Sequence, residues 1–471
     1  MPRQLLVVIF NQSLPVDVES KRSPLRIAAW HRLFIRFPRP DACPPHSIHR
    51  SFRTLVLLAA ITTVVLALEP LRLAAANWPQ WRGPTRDGQI AGPAWPEKLD
   101  TNCLQQVWRV ELGPSYSGPI VSADRVFTTE SKDKKFEVVT AFDRKTGKEL
   151  WRAQWEGAMT VPFFAKSNGD WIRSTPALDG DRLYVSGMRD VLVCLDTASG
   201  TQRWRMDFVK ELKSPEPDFG FVCSPLVDGD AVYVQAGASV AKLDKLTGKL
   251  LWRSLQDKGG MWGSAFSSPV IATLGGQRQV IVQTREKLAG LSLEEGKVLW
   301  EQPVEAFRGM NILTPIVFED GVFTSAYGGK THLFRVEQKD GKWSVSQAWA
   351  DKVQGYMSTP VVVDGHAYQH VKNERIRCID LKTGAEKWMT GESHGKYWSF
   401  VAQGDRILGL NQRGSLYLLR ANKEKFEQLD KRKISEGETW AHLAVAGDQI
   451  FIRELNALTV WRWNSPDVRR E

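Results

Sequence analysis

Four aspartates stand at the same place in a repeated stretch of this sequence, and carboxylates at fixed spacing could act as general acids and bases or as Ca²⁺ ligands. In the clearest copy, residues 141–151 read Ala-Phe-Asp-Arg-Lys-Thr-Gly-Lys-Glu-Leu-Trp. An Asp side chain can accept backbone N–H groups two residues on, and Gly supplies the left-handed conformation of such a turn. We therefore interpret these acids as turn-forming and not as catalytic. The positions that share this spacing are Asp143, Gly147 and Trp151; Asp196, Gly200 and Trp204; Asp244, Gly248 and Trp252; Asp380, Gly384 and Trp388; and, after Ser292 in place of Asp, Gly296 and Trp300.

Thiols and imidazoles give no stronger signal for catalysis or metal binding. The five Cys form no adjacent pair, no Cys-x-x-Cys-His and no zinc spacing. Cys194 and Cys378 occupy equivalent positions in two repeats, so we expect both to be buried and unpaired. His366 and His370 are four apart, which in a strand separates them by about 13 Å. The sequence also has no Gly-x-Ser-x-Gly and no phosphate-binding loop, so we predict no catalytic residue and no metal ligand.

The elements that position these residues recur with a period of roughly 40–50 residues, which indicates a repeat architecture. Each repeat opens with Ser-Pro or Thr-Pro, as at Thr175-Pro176 and Ser224-Pro225. A short apolar run, an Asp-Gly turn, two β-rich runs and the Asp–Gly–Trp segment follow. The pattern predicts four short antiparallel strands, which is one blade of a β-propeller. We expect each Trp to lie flat between neighbouring blades.

The count of repeats predicts an all-β, eight-bladed propeller over residues 104–463. Fourth-strand tryptophans can be assigned in seven places, and a degenerate unit without its Trp begins near Ser399. Residues 442–463 supply only three strands, whereas residues 104–112 form a lone strand with Trp108. Pairing of these N- and C-terminal pieces would complete one blade and close the ring. Seven blades is the alternative if a degenerate unit is miscounted.

The charge and apolar pattern predict an extracytoplasmic protein. The net charge is +10, but residues 1–76 hold ten Lys and Arg against four Asp and Glu, which leaves 53 basic and 49 acidic residues elsewhere. The repeats are thus nearly neutral, and we expect no nucleic-acid binding. An apolar core at 54–68 and Ala74-Ala75-Ala76 resemble a signal peptide that is cleaved near Ala76. A retained membrane anchor is the alternative. Residues 77–103 form a lead-in segment, and residues 464–471 form a tail.

The segment at 141–151 resembles the tryptophan-docking motif of the pyrroloquinoline-quinone (PQQ) propellers, and the resemblance covers about 104–463. That family includes quinoprotein dehydrogenases and the non-enzymatic BamB-type propellers, which help outer-membrane protein assembly. Residues 77–88, Asn-Trp-Pro-Gln-Trp-Arg-Gly-Pro-Thr-Arg-Asp-Gly, look like the lead-in of secreted PQQ-like propellers of planctomycete-type bacteria. The resemblance implies a propeller fold but leaves the activity open.

The resemblance does not extend to dehydrogenase chemistry. Quinoprotein dehydrogenases resemble one another in a Ca²⁺ held by Glu, Asn and Asp, an Asp base and a disulfide of adjacent Cys. This sequence has no adjacent Cys, and no Glu, Asn and Asp set can be placed by motif. We therefore expect no cofactor, with PQQ and calcium as the alternative.

A binding site is expected at one mouth of the central channel, just before the innermost strands. The residues there are rich in aromatic side chains and carry a few cations, which suits a planar or acidic ligand or a peptide. Packing of these rings between blades is the alternative interpretation. The candidates are Tyr116, Trp171, Arg173, Phe221, Trp262, Arg308, Asn311, Tyr356, Lys396, Trp398 and Trp440, with Phe219, Phe266 and Tyr397 as further aromatic residues in the same segments.

Together these observations predict a non-catalytic, monomeric propeller in the periplasm, in the cell envelope or outside the cell. Its channel face would bind an envelope protein or a small ligand. A PQQ-dependent dehydrogenase with a reduced site and an envelope glycan-recognition domain are the alternatives.

Overall fold

The computed structural model describes residues 77–92, 94–263 and 266–464, with the backbone but not the side chains of Ser167, Asn168 and Trp262. The predicted signal segment, its cleavage site and the tail after Asn464 lie outside the described residues. Within them the chain is almost entirely β-structure, and no helix is long and apolar enough to cross a membrane.

Eight sheets of four antiparallel strands form the eight blades, which confirms the predicted count over the alternative of seven. In blades 1 to 7 the four strands follow one another in sequence, with the first strand innermost. Blade 1 comprises β2 (Ile120–Val121), β3 (Arg125–Lys132), β4 (Phe136–Asp143) and β5 (Glu149–Glu156). Blade 2 comprises β6 (Ala177–Asp179), β7 (Arg182–Gly187), β8 (Val191–Asp196) and β9 (Gln202–Asp207). Blade 3 comprises β10 (Leu226–Asp228), β11 (Ala231–Gln235), β12 (Val240–Asp244) and β13 (Leu250–Ser254). Blade 4 comprises β14 (Val270–Leu274), β15 (Gln277–Gln283), β16 (Lys287–Ser292) and β17 (Val298–Pro303).

The remaining blades repeat this order until the ring closes. Blade 5 comprises β18 (Ile316–Phe318), β19 (Gly321–Ser325), β20 (Thr331–Lys339) and β21 (Lys342–Asp351). Blade 6 comprises β22 (Val361–Val363), β23 (His366–His370), β24 (Ile376–Asp380) and β25 (Glu386–Met389). Blade 7 comprises β26 (Trp398–Gln403), β27 (Arg406–Asn411), β28 (Ser415–Arg420) and β29 (Glu427–Lys433). Blade 8 comprises β30 (Ala444–Ala446), β31 (Gln449–Glu454), β32 (Ala457–Trp463) and β1 (Leu104–Glu111). The short helices are α1 (Phe208–Leu212) and the 3-10 turns Phe163–Asn168, Gly260–Trp262 and Phe307–Gly309.

The ring closes through β1, as the sequence predicts. This strand pairs antiparallel with β32, so that Leu104 faces Trp463 and Glu111 faces Ala457. The Arg453 guanidinium of blade 8 also donates to the carbonyl of Gly113, which follows β1, and to the carbonyl of Thr129 in β3 of blade 1. N- and C-terminal parts of the chain are thus joined both by a strand ladder and by a buried cation.

The recurring tryptophans dock onto the next blade along the chain. Five indoles cover the Gly of the following repeat: an added Cβ at Gly200 would lie 2.5 Å from Trp151, and one at Gly248 would lie 2.6 Å from Trp204. The indole N–H also donates to the carbonyl three residues before that Gly, at 2.9 Å for Trp151 and Thr197. Trp388 docks on Asn422 of blade 7, where the turn has no Gly. The acids hold the turn, because Asp143 accepts from the N–H and the hydroxyl of Thr146. These bonds lower the Asp143 pKa.

Trp300 is the exception to this docking. Its indole N–H donates to Gln279 of its own blade at 2.6 Å. Blade 5 has no Thr-Gly turn to receive the indole, because its last two strands form a long hairpin around Asp340 and Gly341. The side chain packs instead in the core between blades 4 and 5.

Cys194 and Cys378 are buried and unpaired, as predicted. Burial raises the pKa of both thiols to about 12, which keeps them protonated and unreactive.

Candidate functional site

The residues that open the innermost strands form a relay of hydrogen bonds around the channel. In each step the backbone N–H of one blade donates to the Ser or Thr hydroxyl that precedes Pro in the next blade. The relay runs from Gly118 to Thr175 (2.9 Å), Thr175 to Ser224 (3.1 Å), Ser224 to Ser268 (2.9 Å), Ser268 to Thr314 (3.1 Å) and Thr314 to Thr359 (3.2 Å). It reverses at blade 7, where the Trp398 N–H donates back to Ser358.

The lead-in segment lies across the inner strands and gives the channel a floor. Trp78 pairs with Val121 of blade 1, and Ile90 donates to Ala402 of blade 7. Between these points Arg82 donates to the carbonyls of Thr359 and Pro360 in blade 6. Arg86 reaches blade 3, where its guanidinium donates to the carbonyls of Ser224 and Pro225. The sequence marks 77–103 as a separate lead-in segment, but this part of it is built into the propeller.

Above this floor is a cavity of about 330 Å³, which we call the cup. Its wall includes the relay residues and, two positions before each of them, a second ring of larger side chains. The residues around the cup are Trp81, Tyr116, Val161, Phe164, Ala165, Gly169, Arg173, Thr175, Phe219, Val222, Ser224, Phe266, Ser268, Met310, Ile312, Thr314, Tyr356, Met357, Thr359, Tyr397, Trp440 and His442. The volume is at the lower end of the range of small-molecule sites.

Aromatic side chains form one side of the cup as a contacting group. The rings of Tyr116 and Trp440 lie 5.8 Å apart, and Trp440 stacks on Tyr397 at the same separation. Behind them the ring of Trp171 meets Tyr116 edge to face at 5.2 Å. These contacts fix the orientation of the rings that face the cavity.

Arg173 is the cation in the wall of the cup. Its guanidinium donates to the carbonyls of Gly169 at 2.8 Å and Trp171 at 3.2 Å, which holds it in place. Burial lowers its pKa to about 10, so that the side chain stays charged at neutral pH. The residues around the cup include no carboxylate, and among the described ion pairs Arg173 has none.

Four of the eleven predicted site residues line the cup: Tyr116, Arg173, Tyr356 and Trp440. Trp171 supports Tyr116 from behind. Arg308 and Lys396 are exposed outside the cavity. Asn311 is buried, where its amide donates to the carbonyls of Arg285 and Val304. The side chain of Trp262 lies outside what the structure describes.

The structure corrects the placement of Phe221 and Trp398. Phe221 packs against Phe208 in the core between blades 2 and 3. Trp398 is fully buried, stacked on Phe400, and its indole donates to the carbonyl of His394. In both places the residue that lines the cup is an immediate neighbour, Val222 or Tyr397. Because extended chain alternates faces, a shift of one residue moves a side chain from the cavity to the core.

The floor of the cup was not predicted from the sequence. Trp81 and His442 lie there, and their ring centroids are 6.0 Å apart. The guanidinium groups of Arg82 and Arg86 lie over the Trp81 ring. Burial lowers the pKa of His442 to about 3, so its imidazole is neutral. The Trp-Arg spacing in 77–88 is a visible signal, but nothing in the repeat pattern relates that segment to the channel.

The residues around the cup do not fit a calcium-bound quinone. Hard cations such as Ca²⁺ take oxygen ligands and usually carboxylates, and the cup offers hydroxyls and carbonyls only. No group of three or more His, Cys, Asp or Glu in the described part of the chain is placed to hold a metal.

The rim of the cup continues into exposed aromatic surface. Phe163 and Phe164, in the 3-10 turn, are 84% and 47% exposed. The Phe164 ring meets Phe219, and Phe219 meets Phe266 inside the cup. We call these four phenylalanines the aromatic ridge. Two exposed rings that continue through half-buried Phe219 and Phe266 into a cavity are typical of an interaction surface.

Comparison with known proteins agrees with this architecture. A family model described as "Outer membrane protein assembly factor BamB" matches residues 135–390, more than half of the chain. The outer membrane protein assembly factor BamB of Moranella endobia (strain PCIT) is 22% identical over 380 residues, which cover 75% of this chain and 88% of that protein. BamB of Yersinia pestis is 23% identical over 261 residues, which cover 52% of this chain and 63% of that protein.

Two solved structures share the fold. BamB from Moraxella catarrhalis superposes with a TM-score of 0.57 at 16% identity, over 78% of this chain and 99% of that chain. Quinohemoprotein alcohol dehydrogenase from Comamonas testosteroni also gives 0.57, at 12% identity, over 83% of this chain and 81% of that chain. These identities are too low to carry an activity across, so the family assignment follows from the sequence match. The chain belongs to the PQQ-repeat family that is described as outer membrane protein assembly factor BamB.

Proposed function

We propose that this chain is a non-catalytic, extracytoplasmic scaffold that binds an envelope protein through the face of the propeller that carries the cup. It would take part in the assembly of outer-membrane proteins, as the names of its relatives state for them. The chain would act as a monomer, released from its leader near Ala76.

The observation that carries the proposal is the composition of the cup. The titratable side chains around it are tyrosine, arginine and histidine. Burial raises the pKa of Tyr116 to about 12 and lowers that of His442 to about 3. Neither group changes protonation near neutral pH, so neither is suited to general acid–base catalysis. The arrangement favours binding over chemistry.

The aromatic ridge supports a protein as the partner. Phe163 is 84% exposed, more than any other large apolar side chain in the described part of the chain. Such surface is stabilised when a partner covers it, and aromatic anchors supply much of the affinity at protein interfaces. The ridge borders the cup, so one partner could contact both.

Photo-crosslinking in the native cells tests this function. The photoreactive residue p-benzoyl-phenylalanine would replace Phe164 on the ridge or Leu251 on the outer strand β13. The two are matched in exposure, at 47% and 48%. We expect a covalent adduct with an envelope protein from position 164 and none from position 251. No adduct at 164, or identical adducts at both positions, would refute the proposal.

The structure favours neither alternative. A dehydrogenase with a reduced site would need a Ca²⁺ ligand set that the cup does not offer. A glycan-recognition domain would bind sugar hydroxyls through carboxylate or amide side chains, and the residues around the cup include neither.

A further inference from the structure

The wall of the cup combines a ring of small hydroxyls with larger apolar side chains. Ser224, Ser268 and Thr314 each accept a backbone N–H of the preceding blade, which fills one lone pair and leaves the O–H available. The larger side chains around them are mostly apolar or aromatic, such as Phe266 and Met310. Such a wall suits an apolar or aromatic group that carries a few polar atoms.

Polar recognition is concentrated on one side of the cup. Two of the five guanidinium N–H groups of Arg173 are held by the carbonyls of Gly169 and Trp171, so the planar fork is pre-oriented. Tyr116 stands close enough for its phenol and the guanidinium to influence each other's pKa. A cation and a protonated phenol side by side are the donors that a carboxylate accepts.

The floor adds positive charge without adding a hydrogen-bonding site. Arg82 and Arg86 are buried, and their hydrogen-bond partners are uncharged: backbone carbonyls and the Gln80 amide. Both lie within 6 Å of the Trp81 ring centre, at 5.6 and 5.9 Å. Trp81 therefore offers an aromatic surface backed by two cations. Asp170 acts on Arg173 and Glu438 acts on Tyr116 from outside the cup, but the residues that line the cup carry no carboxylate. An anionic ligand is therefore favoured over a cationic one.

We propose that the cup binds an aromatic carboxylate, with the ring against Trp81 and Trp440 and the carboxylate on Arg173 and Tyr116. This inference rests on the proposed function, since it assigns a ligand chemistry to the same face. The ligand could be a small aromatic acid, or the last residue of a polypeptide with an aromatic side chain beside its free carboxylate. Both present one ring and one negative charge at the same spacing.

Isothermal titration of the purified protein with 2-naphthoate and with 2-naphthamide tests the proposal. The two probes have the same rings and nearly the same shape, and they differ in charge. We expect saturable binding of the acid and at least about tenfold weaker binding of the amide, because the amide loses a charge-assisted contact with Arg173. Equal binding of the two probes, or binding of neither, would overturn the proposal.

A pair of variants tests whether Arg173 is the residue that causes the preference for the acid. Arg173→Met should weaken binding of 2-naphthoate by about tenfold or more and remove the preference for the acid. Arg308→Met is the matched control, since it removes a cation from the same face outside the cup, and it should leave both affinities unchanged. If thermal unfolding shows that Arg173→Met is not folded, the acid-to-amide ratio in Arg173→Gln replaces it, and a ratio equal to that of the wild type would count against the proposal.

Two peptides distinguish the sources of the ligand. N-acetyl-Gly-Gly-Phe with a free carboxylate and the same peptide as its C-terminal amide would compete against bound 2-naphthoate. Competition by the acid peptide alone indicates a polypeptide terminus, and competition by neither, with 2-naphthoate still bound, indicates a small aromatic acid. A crosslinked partner at position 164 without any binding of 2-naphthoate would overturn this inference and leave the proposed function standing.

Discussion

The indole of Trp204, on the last strand of blade 2, lies directly on the backbone of Gly248 in the last turn of blade 3. The same indole donates its N–H to the carbonyl of Lys245, three residues before that Gly, at 3.1 Å. Ring and turn thus form one contact that fixes the angle between neighbouring blades. An added Cβ at Gly248 would lie 2.6 Å from the indole.

Gly248→Ala should therefore lower the free energy of unfolding by about 2–4 kcal/mol. The cost combines a left-handed backbone angle, φ +74°, with displacement of the indole. Gly229→Ala in the same blade is the control, because its φ is +54° and nothing lies within 4 Å of its added Cβ. It should cost about 1 kcal/mol. Equal losses in chemical denaturation would show that the indole contact contributes nothing.

Ser268 and its neighbour Ser267 allow a test of the channel relay. Ser268 accepts the N–H of Ser224, so Ser268→Ala leaves that buried donor without its partner and should cost about 1–3 kcal/mol. The Ser267 hydroxyl is buried and has no hydrogen-bond partner, so Ser267→Ala should be neutral or stabilising. Thermal unfolding of the two variants measures the difference. The reverse order of stabilities would contradict a structural role for the relay.

Arg82 should prove essential for holding the lead-in segment across the channel. Arg82→Met leaves several buried carbonyls without a donor, and we expect a loss of about 3–5 kcal/mol. The lead-in segment, residues 77–103, should also become sensitive to limited proteolysis. Arg278→Met is the control: it breaks the exposed ion pair with Asp228 and should cost less than about 1 kcal/mol. A protease-resistant, fully stable Arg82→Met protein would argue against the floor.

Glu137 should make stability depend on pH. Its carboxylate is buried between blades 1 and 2, where it accepts from the Trp155 indole at 2.7 Å and the Met188 N–H at 2.6 Å. Burial raises its pKa from 4.5 to about 7. The folded chain therefore binds this proton more tightly than the unfolded chain, and the added stability is complete below about pH 4.5 and lost as pH rises through about 7.

Asp190 occupies the equivalent position in blade 2, and burial also raises its pKa to about 7. Glu137→Gln should therefore remove roughly half of the pH dependence between pH 5 and 8, on the order of 2–3 kcal/mol. Gln cannot accept at both oxygen positions, so the variant should also be less stable at pH 5. Denaturation at several pH values gives the slope. Glu301→Gln, at an exposed ion pair with Lys287, is the control and should keep the slope of the wild type.

The sequence predicted the blades well because each blade repeats its own local chemistry. The turn acid, the Gly and the Trp recur where one blade docks onto the next, so their spacing gives the period, and the degenerate units between them complete the count of blades. Trp300 shows the limit of this reasoning. It keeps the spacing, but the following blade lacks the receiving turn, and its indole bonds within its own blade. The spacing of the Trp on one blade does not predict whether the next blade has a turn that can receive its indole.

The site was predicted only in part, for two physical reasons. The segments before the innermost strands are extended, so an error of one residue in the predicted position moves a side chain from the cavity to the core. Phe221 and Trp398 were misplaced in this way. The floor was missed because Arg82 and Arg86 lie in a single segment outside the repeats. Their partners are main-chain carbonyls in blades 6 and 3. Because every residue has such a carbonyl, the sequence does not indicate which ones accept a hydrogen bond.

The pairing of β1 with β32 sets the order in which this molecule can be completed. β1 is the first strand of the ring to be synthesised, but its only ladder partner is the last. Until the ribosome has finished the chain, the growing array of blades has an unpaired strand edge at each end. Such edges can pair with strands of other chains and lead to aggregation. Completion is therefore a single late event, and a chain that is interrupted anywhere before its final strand lacks a closed ring.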